Sequence, residues 1–341
     1  MEQTPSVAII ILNWNGFHDT VACLESLLQT DYASYRVVLV DNGSQNAEGR
    51  RLKELFPALH LISNAANRGF AGGCNDGINW ALQSGFDYIM TLNNDTLVDK
   101  RCLANLIAGV RAARADFASA RIMYYPETNL ICSDGDVLLP DGTGFAANAH
   151  RRYSGGQATR PIFSACAAAA LFSRESLEAV KIKKNQFFDE LFFAYLEDVD
   201  LCARLHAKSY KGASIGDAVV YHKESNTAGP RSLFQITQME KNRMLVELLN
   251  FPLWLIPVGE AYYCIKTLLG MFGKKKICRE GAAPVKSFNP WGVLLRSRKW
   301  ILEHATDIYK DRKERSARAM IDGKIYRHLC WDMSRLWGGQ Q

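Results

Sequence analysis

Residues 88–98, YIMTLNNDTLV, set an apolar run against an oxygen-rich end. IMTL reads as a buried strand, so Asn93, Asn94 and Asp95 fall at its carboxyl end. Open α/β sheets bind ligands along that edge. Amide and carboxylate oxygens there suit a hard cation, Mg²⁺ or Mn²⁺, shared with a phosphate. The same residues also favour an Asn-Asp turn that holds nothing, and the short motif alone does not separate the two roles.

A second acidic group stands about a hundred residues on, in FFDELFFAYLEDVDLCARL. Glu197, Asp198 and Asp200 come just ahead of a helical pattern through Leu201 and Leu205. The helix macrodipole favours ionised acids in a first turn, and an ionised carboxylate is what a general base must be. Capping the helix is the simpler role, and it suits Glu197 and Asp200. His222 follows the strand-like DAVVY and precedes Lys223. Its imidazole can ligate a metal when neutral or contact phosphate when charged.

These groups need a scaffold, and the first hundred residues read as one. Val7–Leu12 is a continuous apolar run that breaks at Asn13, Trp14, Asn15 and Gly16. A helix pattern follows through Val21, Leu24, Leu27 and Leu28. The run 37–40 then ends at Asp41, Asn42, Gly43 and Ser44. Strand, helix, strand is the right-handed parallel crossover of an α/β fold. A dinucleotide fingerprint G-x-G-x-x-G is absent after the first strand. Asp41 can accept from a nucleotide base or ribose, or merely form a turn before Gly43. Residues 63–82, SNAANRGFAGGCNDGINWAL, bring Asn67, Arg68, Gly69, Gly72, Gly73 and Gly77 ahead of a helix through Ile78, Ala81 and Leu82. Glycines allow close backbone approach to a ligand, a helix N-terminus attracts anions, and Arg68 offers a forked contact to phosphate. No Lys-Ser or Lys-Thr follows, which excludes a Walker loop.

The ordered segments LNWNG, VDNGS, NRGFAGGCNDGI, LNNDT and FFAYLEDVDLCARL resemble the family 2 glycosyltransferases, most nearly their bacterial rhamnosyltransferase-like branch, over about residues 6–225. The resemblance implies the GT-A fold: a mostly parallel, nucleotide-sugar-binding α/β sheet flanked by helices. It implies a donor-binding half over about 6–130 and an acceptor-binding half over 131–239. It assigns Asn13, Asn15, Asp41, Asn67, Arg68, Gly69, Gly73, Asn93 and Asn94 to the donor, and Asp95 with His222 to a divalent cation, Mg²⁺ or Mn²⁺. Asp95 matches the metal-binding aspartate of the D-x-D-type motif, whose first acid is replaced by Asn93. Asp198 matches the catalytic base of the E-D motif, with Glu197 and Asp200 beside it in supporting or acceptor-side roles. The implied reaction is inverting transfer from a dTDP- or UDP-linked sugar, dTDP-rhamnose first, to a polyprenyl-linked or polysaccharide hydroxyl. One base and one displacement through an oxocarbenium-like state give inversion. A sugar nucleotidyltransferase would instead carry a glycine-rich basic loop where this chain has NWNGFHD. A non-catalytic carbohydrate- or lipid-binding relative has no need of both Asp95 and Asp198.

The remainder is less specific. Residues 133–156 are rich in Gly, Asp, Asn and Ser, which predicts a turn-dominated excursion at the acceptor side, with Arg151 and Arg152 near phosphate. SACAAAALF is small and apolar, fit for a packed strand or helix. Residues 240–341 hold 19 Lys+Arg and 10 Asp+Glu, a balance of +9 against −3 for residues 1–239. That division predicts a catalytic domain over 1–239 and a basic, amphipathic helical region over 240–341, since 341 residues exceed one core. Residues 251–279 are apolar and aromatic but broken by Pro252, Pro257, Glu260 and Lys266, and end in Lys274, Lys275, Lys276 and Arg279. This suits either an anionic membrane surface or ordinary packing with a solvated basic face, and not a span. Residues 300–337 read as helical and basic. No reading motif for nucleic acid accompanies the charge. The first apolar run is already the first strand, so no leader is expected. Nine cysteines without C-x-x-C spacing point to the reducing cytoplasm.

Overall fold

The computed structural model describes residues 4–153, 159–183, 185–223, 232–272 and 289–332. The first elements alternate strand and helix: β1 (Val7–Asn13), α1 (Phe17–Leu27), β2 (Tyr35–Asp41), α2 (Glu48–Leu55), β3 (His60–Ser63), α3 (Gly69–Gln83) and β4 (Tyr88–Asn93), where α2 and β3 add to the elements that the sequence predicts. They are followed by β5 (Thr96–Val98), α4 (Cys102–Ala113), β6 (Phe117–Tyr124), β7 (Ile131–Ser133), β8 (Asp136–Leu138), β9 (Gly144–Ala146) and β10 (Arg160–Ile162). β11 (Ala169–Ser173), α5 (Arg174–Val180), α6 (Glu197–Ala207) and β12 (Gly212–His222) complete the sheet and its helices.

The central sheet runs β10-β12-β6-β11-β4-β1-β2-β3. Its long strands pair in parallel: β1 with β2 and β4, β2 with β3, and β6 with β12. β11 lies antiparallel between β4 and β6, so SACAAAALF supplies a strand and not a helix. Its alanines suit a position between two long strands under helices on both faces. β1 shows why these runs are uniformly apolar. Alternate residues point to opposite faces: Val7, Ile9 and Ile11 enter one core, Ala8 and Ile10 the other. A sheet covered on both sides leaves no polar face. The predicted excursion after residue 133 is a small antiparallel hairpin of β8 and β9. Arg151 and Arg152 are exposed, and residues 154–156 lie outside the described residues.

The glycine-rich segment differs from expectation. It is not a loop leading to a helix; α3 begins at Gly69 itself. Gly73 and Gly77 form one face of α3, and a Cβ on them would strike Leu12 and Ile10 of β1. These glycines let the helix settle onto the sheet, so their closest approach is to protein.

The C-terminal helices are α7 (Leu233–Asn250), α8 (Ile256–Phe272), α9 (Pro290–Glu303) and α10 (Ala305–Ala317). The division drawn at 239/240 falls inside α7. Leu245, Leu249, Phe251, Ile308 and Ile325 share a third core with Leu138, Phe192 and Val199. Arg315 of α10 is buried, with Asp200 at 2.5 Å and Asp189 at 2.7 Å. Asn250 donates to Asp200 at 2.8 Å. The helical region thus closes the second half of the sheet domain. Lys274, Lys275, Lys276 and Arg279 lie outside the described residues.

Candidate active site

β4 ends at Asn93, and the chain turns through Asn94 and Asp95 into β5. β5 pairs antiparallel with the end of β12, setting His222 opposite Thr96. That register brings His222 Nε2 to 3.0 Å from Asp95 Oδ1 and 3.4 Å from Asn93 Nδ2. Two ligands at right angles, each ~2.1 Å from a small divalent cation, stand about 3 Å apart. One oxygen and one imidazole nitrogen suit Mn²⁺ as well as Mg²⁺. The donor set therefore fits the cation expected at these two residues.

Asp198 occupies the first turn of α6. Its Oδ2 accepts from the Ala167 N–H at 3.0 Å and its Oδ1 from the Val199 N–H at 2.8 Å. The next residue, Ala168, accepts from the Asn93 N–H at 3.0 Å. Two hydrogen bonds on adjacent residues thus tie the Asp198 carboxylate to the strand end that carries Asp95. Both acids belong to one carboxyl edge of the sheet.

The loop before Asp198 is strained. Phe193, Tyr195 and Leu196 have φ of 63°, 72° and 64°, a region unfavourable to residues with a Cβ. Asn242 of α7, fully buried, donates Nδ2 toward the carbonyls of Phe192, Ala194 and Tyr195 at 3.0, 2.8 and 2.6 Å. Lys241 donates to the Leu191 carbonyl at 2.9 Å. Strained backbone persists where its surroundings over-determine it, and here α7 supplies that constraint. Sequence reasoning missed Asn242, which stands between Lys241 and Arg243 and carries no local signal.

Burial overrides the helix dipole at this turn. It pushes Asp198 above its ordinary value, opposed by the N–H groups of Ala167 and Val199. Burial, then the charge of Asp198, pushes Glu197 well above the carboxylate range. The expectation that the dipole keeps both acids readily ionised is therefore corrected: desolvation is the larger effect. Nor do Glu197 and Asp200 cap α6, which has no side-chain cap. Asp200 is fully buried between Arg204, Arg315 and Asn250. Asp136 and Cys166, also unremarked in the sequence, lie with Asp198 so that their ligating atoms are within 4.8 Å of one another. Burial and the neighbouring charge of Asp198 push the Asp136 carboxyl up to about 7.

The residues that the resemblance assigns to the donor form a linked edge. Asn94 donates to Thr20 Oγ1 at 2.9 Å, and Thr20 donates to Asn13 Oδ1 at 2.7 Å. Asn13 in turn donates to Ser44 and Glu48, each at 3.0 Å. Asn15 accepts from the Gln45 N–H at 2.8 Å. Asp41 accepts backbone N–H groups of Ser44 at 3.2 Å and Gly49 at 3.1 Å, the turn role weighed above. Asn42 holds the third loop, donating to Asn67 Oδ1 and the Gly69 carbonyl, each at 3.0 Å. Two expectations change. Arg68 is not a waiting phosphate fork: Nη1 meets Asp76 at 2.5 Å and Nη2 meets Glu190 at 3.0 Å. Gly69, at φ +72°, has the Phe193 carbonyl where a Cβ would stand. Its conformational freedom serves the contact between α3 and the strained loop. A cavity of about 750 Å³ lined by Arg160, His206 and His328 contains none of these side chains.

The family model for glycosyl transferase family 2 matches residues 8–181. Protein y4gI of Sinorhizobium fredii (strain NBRC 101917 / NGR234), uncharacterized, is 28% identical over 250 residues, 67% of this chain and 26% of that protein. The low-salt glycan biosynthesis hexosyltransferase Agl10 of Haloferax volcanii is 25% identical over 209 residues, 58% of this chain and 61% of that protein. The chain spans about a quarter of the first relative and about three fifths of the second. Among solved structures, GalNAc-T7, determined with UDP, GalNAc and Mn²⁺, superposes with a TM-score of 0.60 at 11% identity, covering 99% of this chain and 59% of that one. S. aureus TarS 1–349 superposes with a TM-score of 0.53 at 13% identity, covering 94% and 91%. At such identities the likeness concerns the fold, which is GT-A.

Proposed function

The chain belongs to glycosyl transferase family 2, and from that premise we propose that it moves a sugar, with inversion, from a nucleoside diphosphate donor to a hydroxyl of a cell-surface glycan or its lipid-linked precursor. The reading rests on one observation: the Asp95–His222 pair and the Asp198 carboxylate are joined at one sheet edge by Ala167 and Ala168. A divalent cation bound by Asp95 and His222 would screen the charge building on the departing diphosphate. Asp198 then accepts the acceptor's hydroxyl proton as its oxygen attacks the anomeric carbon from the opposite face. The backbone N–H groups of Ala167 and Val199 fix the carboxylate's direction and leave further lone pairs for that proton. Asn13, Asn15, Asp41, Asn67, Asn93 and Asn94 border the donor. Burial and the charge of Asp198 raise Glu197 beside the base, and Asp200 supports α6 from behind. dTDP-rhamnose leads the donor candidates, with UDP-linked hexoses next. The enzyme works in the cytoplasm, against the inner face of the membrane that carries a polyprenyl-linked acceptor.

Thermal shift with nucleoside diphosphates checks the donor half. A ligand at about 100 times its Kd stabilises by ~2.7 kcal/mol, so UDP or dTDP with Mn²⁺ should raise the melting temperature. Asp95→Ala should lose the Mn²⁺-dependent part of that rise. An equal rise in Asp95→Ala, or with EDTA present, contradicts the assignment of Asp95.

A further inference from the structure

We propose that the outward faces of α8 and α9 rest on an anionic lipid surface, a placement that extends the lipid-linked acceptor reading above. One side of α8 is firmly anchored. Leu255, Gly259 and Tyr262 are buried, Lys266 pairs with Asp141, and Glu260 meets Arg243 at 2.8 Å. The other side carries Val258, Ala261, Cys264, Ile265 and Leu268, all exposed and spaced as one stripe of a 3.6-residue helix. Ile265 and Leu268 are 52% and 55% exposed, and Leu253 and Trp254, just before the helix, are 70% and 58% exposed. No charged side chain interrupts the stripe.

α9 is tied to α8 through Arg298, which reaches Glu260 at 3.4 Å, and both helices pack on α7. It presents a second apolar stripe of Trp291, Leu295 and Leu302, each at least 69% exposed. Exposed Arg296 and Lys299 flank that stripe. Exposed apolar stripes of this kind mark interaction sites. The occupant follows from charge and geometry together. Aliphatic and Trp side chains beside Arg and Lys match the acyl boundary and headgroups of an anionic leaflet. Residues 240–341 carry +9, opposite in sign to that leaflet. Among the described residues no helix is long and apolar enough to cross a membrane, so these faces would lie along it.

The test is co-sedimentation of the full chain with vesicles of phosphatidylcholine, alone or mixed with phosphatidylglycerol. The mixed vesicles should capture the protein, the neutral ones much less, and added salt should release it. Ile265→Asp with Leu268→Asp should weaken capture at least about tenfold, and Arg296→Glu with Lys299→Glu should remove the preference for phosphatidylglycerol. All four residues are solvent-facing or at the rim, so melting temperature should stay at the wild-type value. A wild-type chain that stays in the supernatant with both vesicles overturns the proposal. So does an Ile265/Leu268 variant that sediments normally. A dimer that the same variant dissolves, without vesicle binding, assigns the surface to a second copy instead. Capture needs neither donor nor cation, so its failure leaves the sugar-transfer reading standing.

Discussion

Asp198→Asn should retain donor binding and lose sugar transfer by about 10²–10⁴-fold, the usual contribution of a general base. The amide has nearly the carboxylate's shape but cannot take a proton at neutral pH. Its nitrogen also faces an N–H where Oδ1 or Oδ2 accepted one from Val199 or Ala167. A melting curve therefore belongs beside the rate, and a fold that holds while kcat collapses is the expected pair of results. The pH profile adds a second readout. Burial raises the pKa of Asp198, and a protonated base cannot accept, so wild-type transfer should fall as pH drops through that raised value. Asp136, pushed up to about 7 by burial and by the charge of Asp198, interacts with it, so the acidic limb belongs to both carboxyls together. Asp136→Asn removes one of the two and should move the limb to lower pH while transfer survives. Normal turnover in Asp198→Asn removes that residue from the mechanism.

Arg315→Met should produce the largest loss of stability, about 3–5 kcal/mol, the cost of breaking a buried ion pair from one side. The guanidinium bridges Asp189 and Asp200, both fully buried. Arg204 and Asn250 still meet Asp200, and Lys183 stands 3.6 Å from Asp189, so the remaining charges are only partly compensated. Burial alone would raise the Asp200 pKa; Arg315 and Arg204 overcome it and hold the group at about 2, below the ordinary 3.8. A depressed carboxyl contributes stability above its unfolded value, lost as pH falls through the folded one. The wild type should keep this contribution above about pH 4 and lose it toward pH 2, whereas Arg315→Met should begin acid unfolding at higher pH. Urea midpoints across that range measure both effects. An unchanged midpoint at neutral pH contradicts the role given to Arg315.

What the sequence made legible was whatever is local. Buried runs identified β1, β2 and β4, and their abrupt polar ends put Asn13, Asp41 and Asp95 at one edge. The side chains of Asp95 and His222, matched only through family resemblance, meet across 127 residues. Other partnerships left no local trace. Arg315 finds Asp200 from 115 residues away, and Asn242 finds the loop before Asp198 from about fifty. The basic balance after residue 239 suggested a separate region, yet α7 crosses that point to hold the loop before Asp198. Gly69, Gly73 and Gly77 were readable in another way. Their spacing of four is a helix face, and small residues on one face signal close packing. Ligand approach was the wrong weight to give them, as Leu12 and Ile10 occupy that side. The acids of α6 misled for a physical reason too: a dipole's few tenths of a kcal/mol yields to the cost of desolvation.

The most direct test of the account is to identify what the wild-type enzyme releases from a nucleotide sugar, with Mn²⁺ and a hydroxyl-bearing acceptor present. The account predicts nucleoside diphosphate, released in step with acceptor glycosylation and abolished by chelation. Release of pyrophosphate, or nucleoside diphosphate formed at the same rate after EDTA, would contradict it.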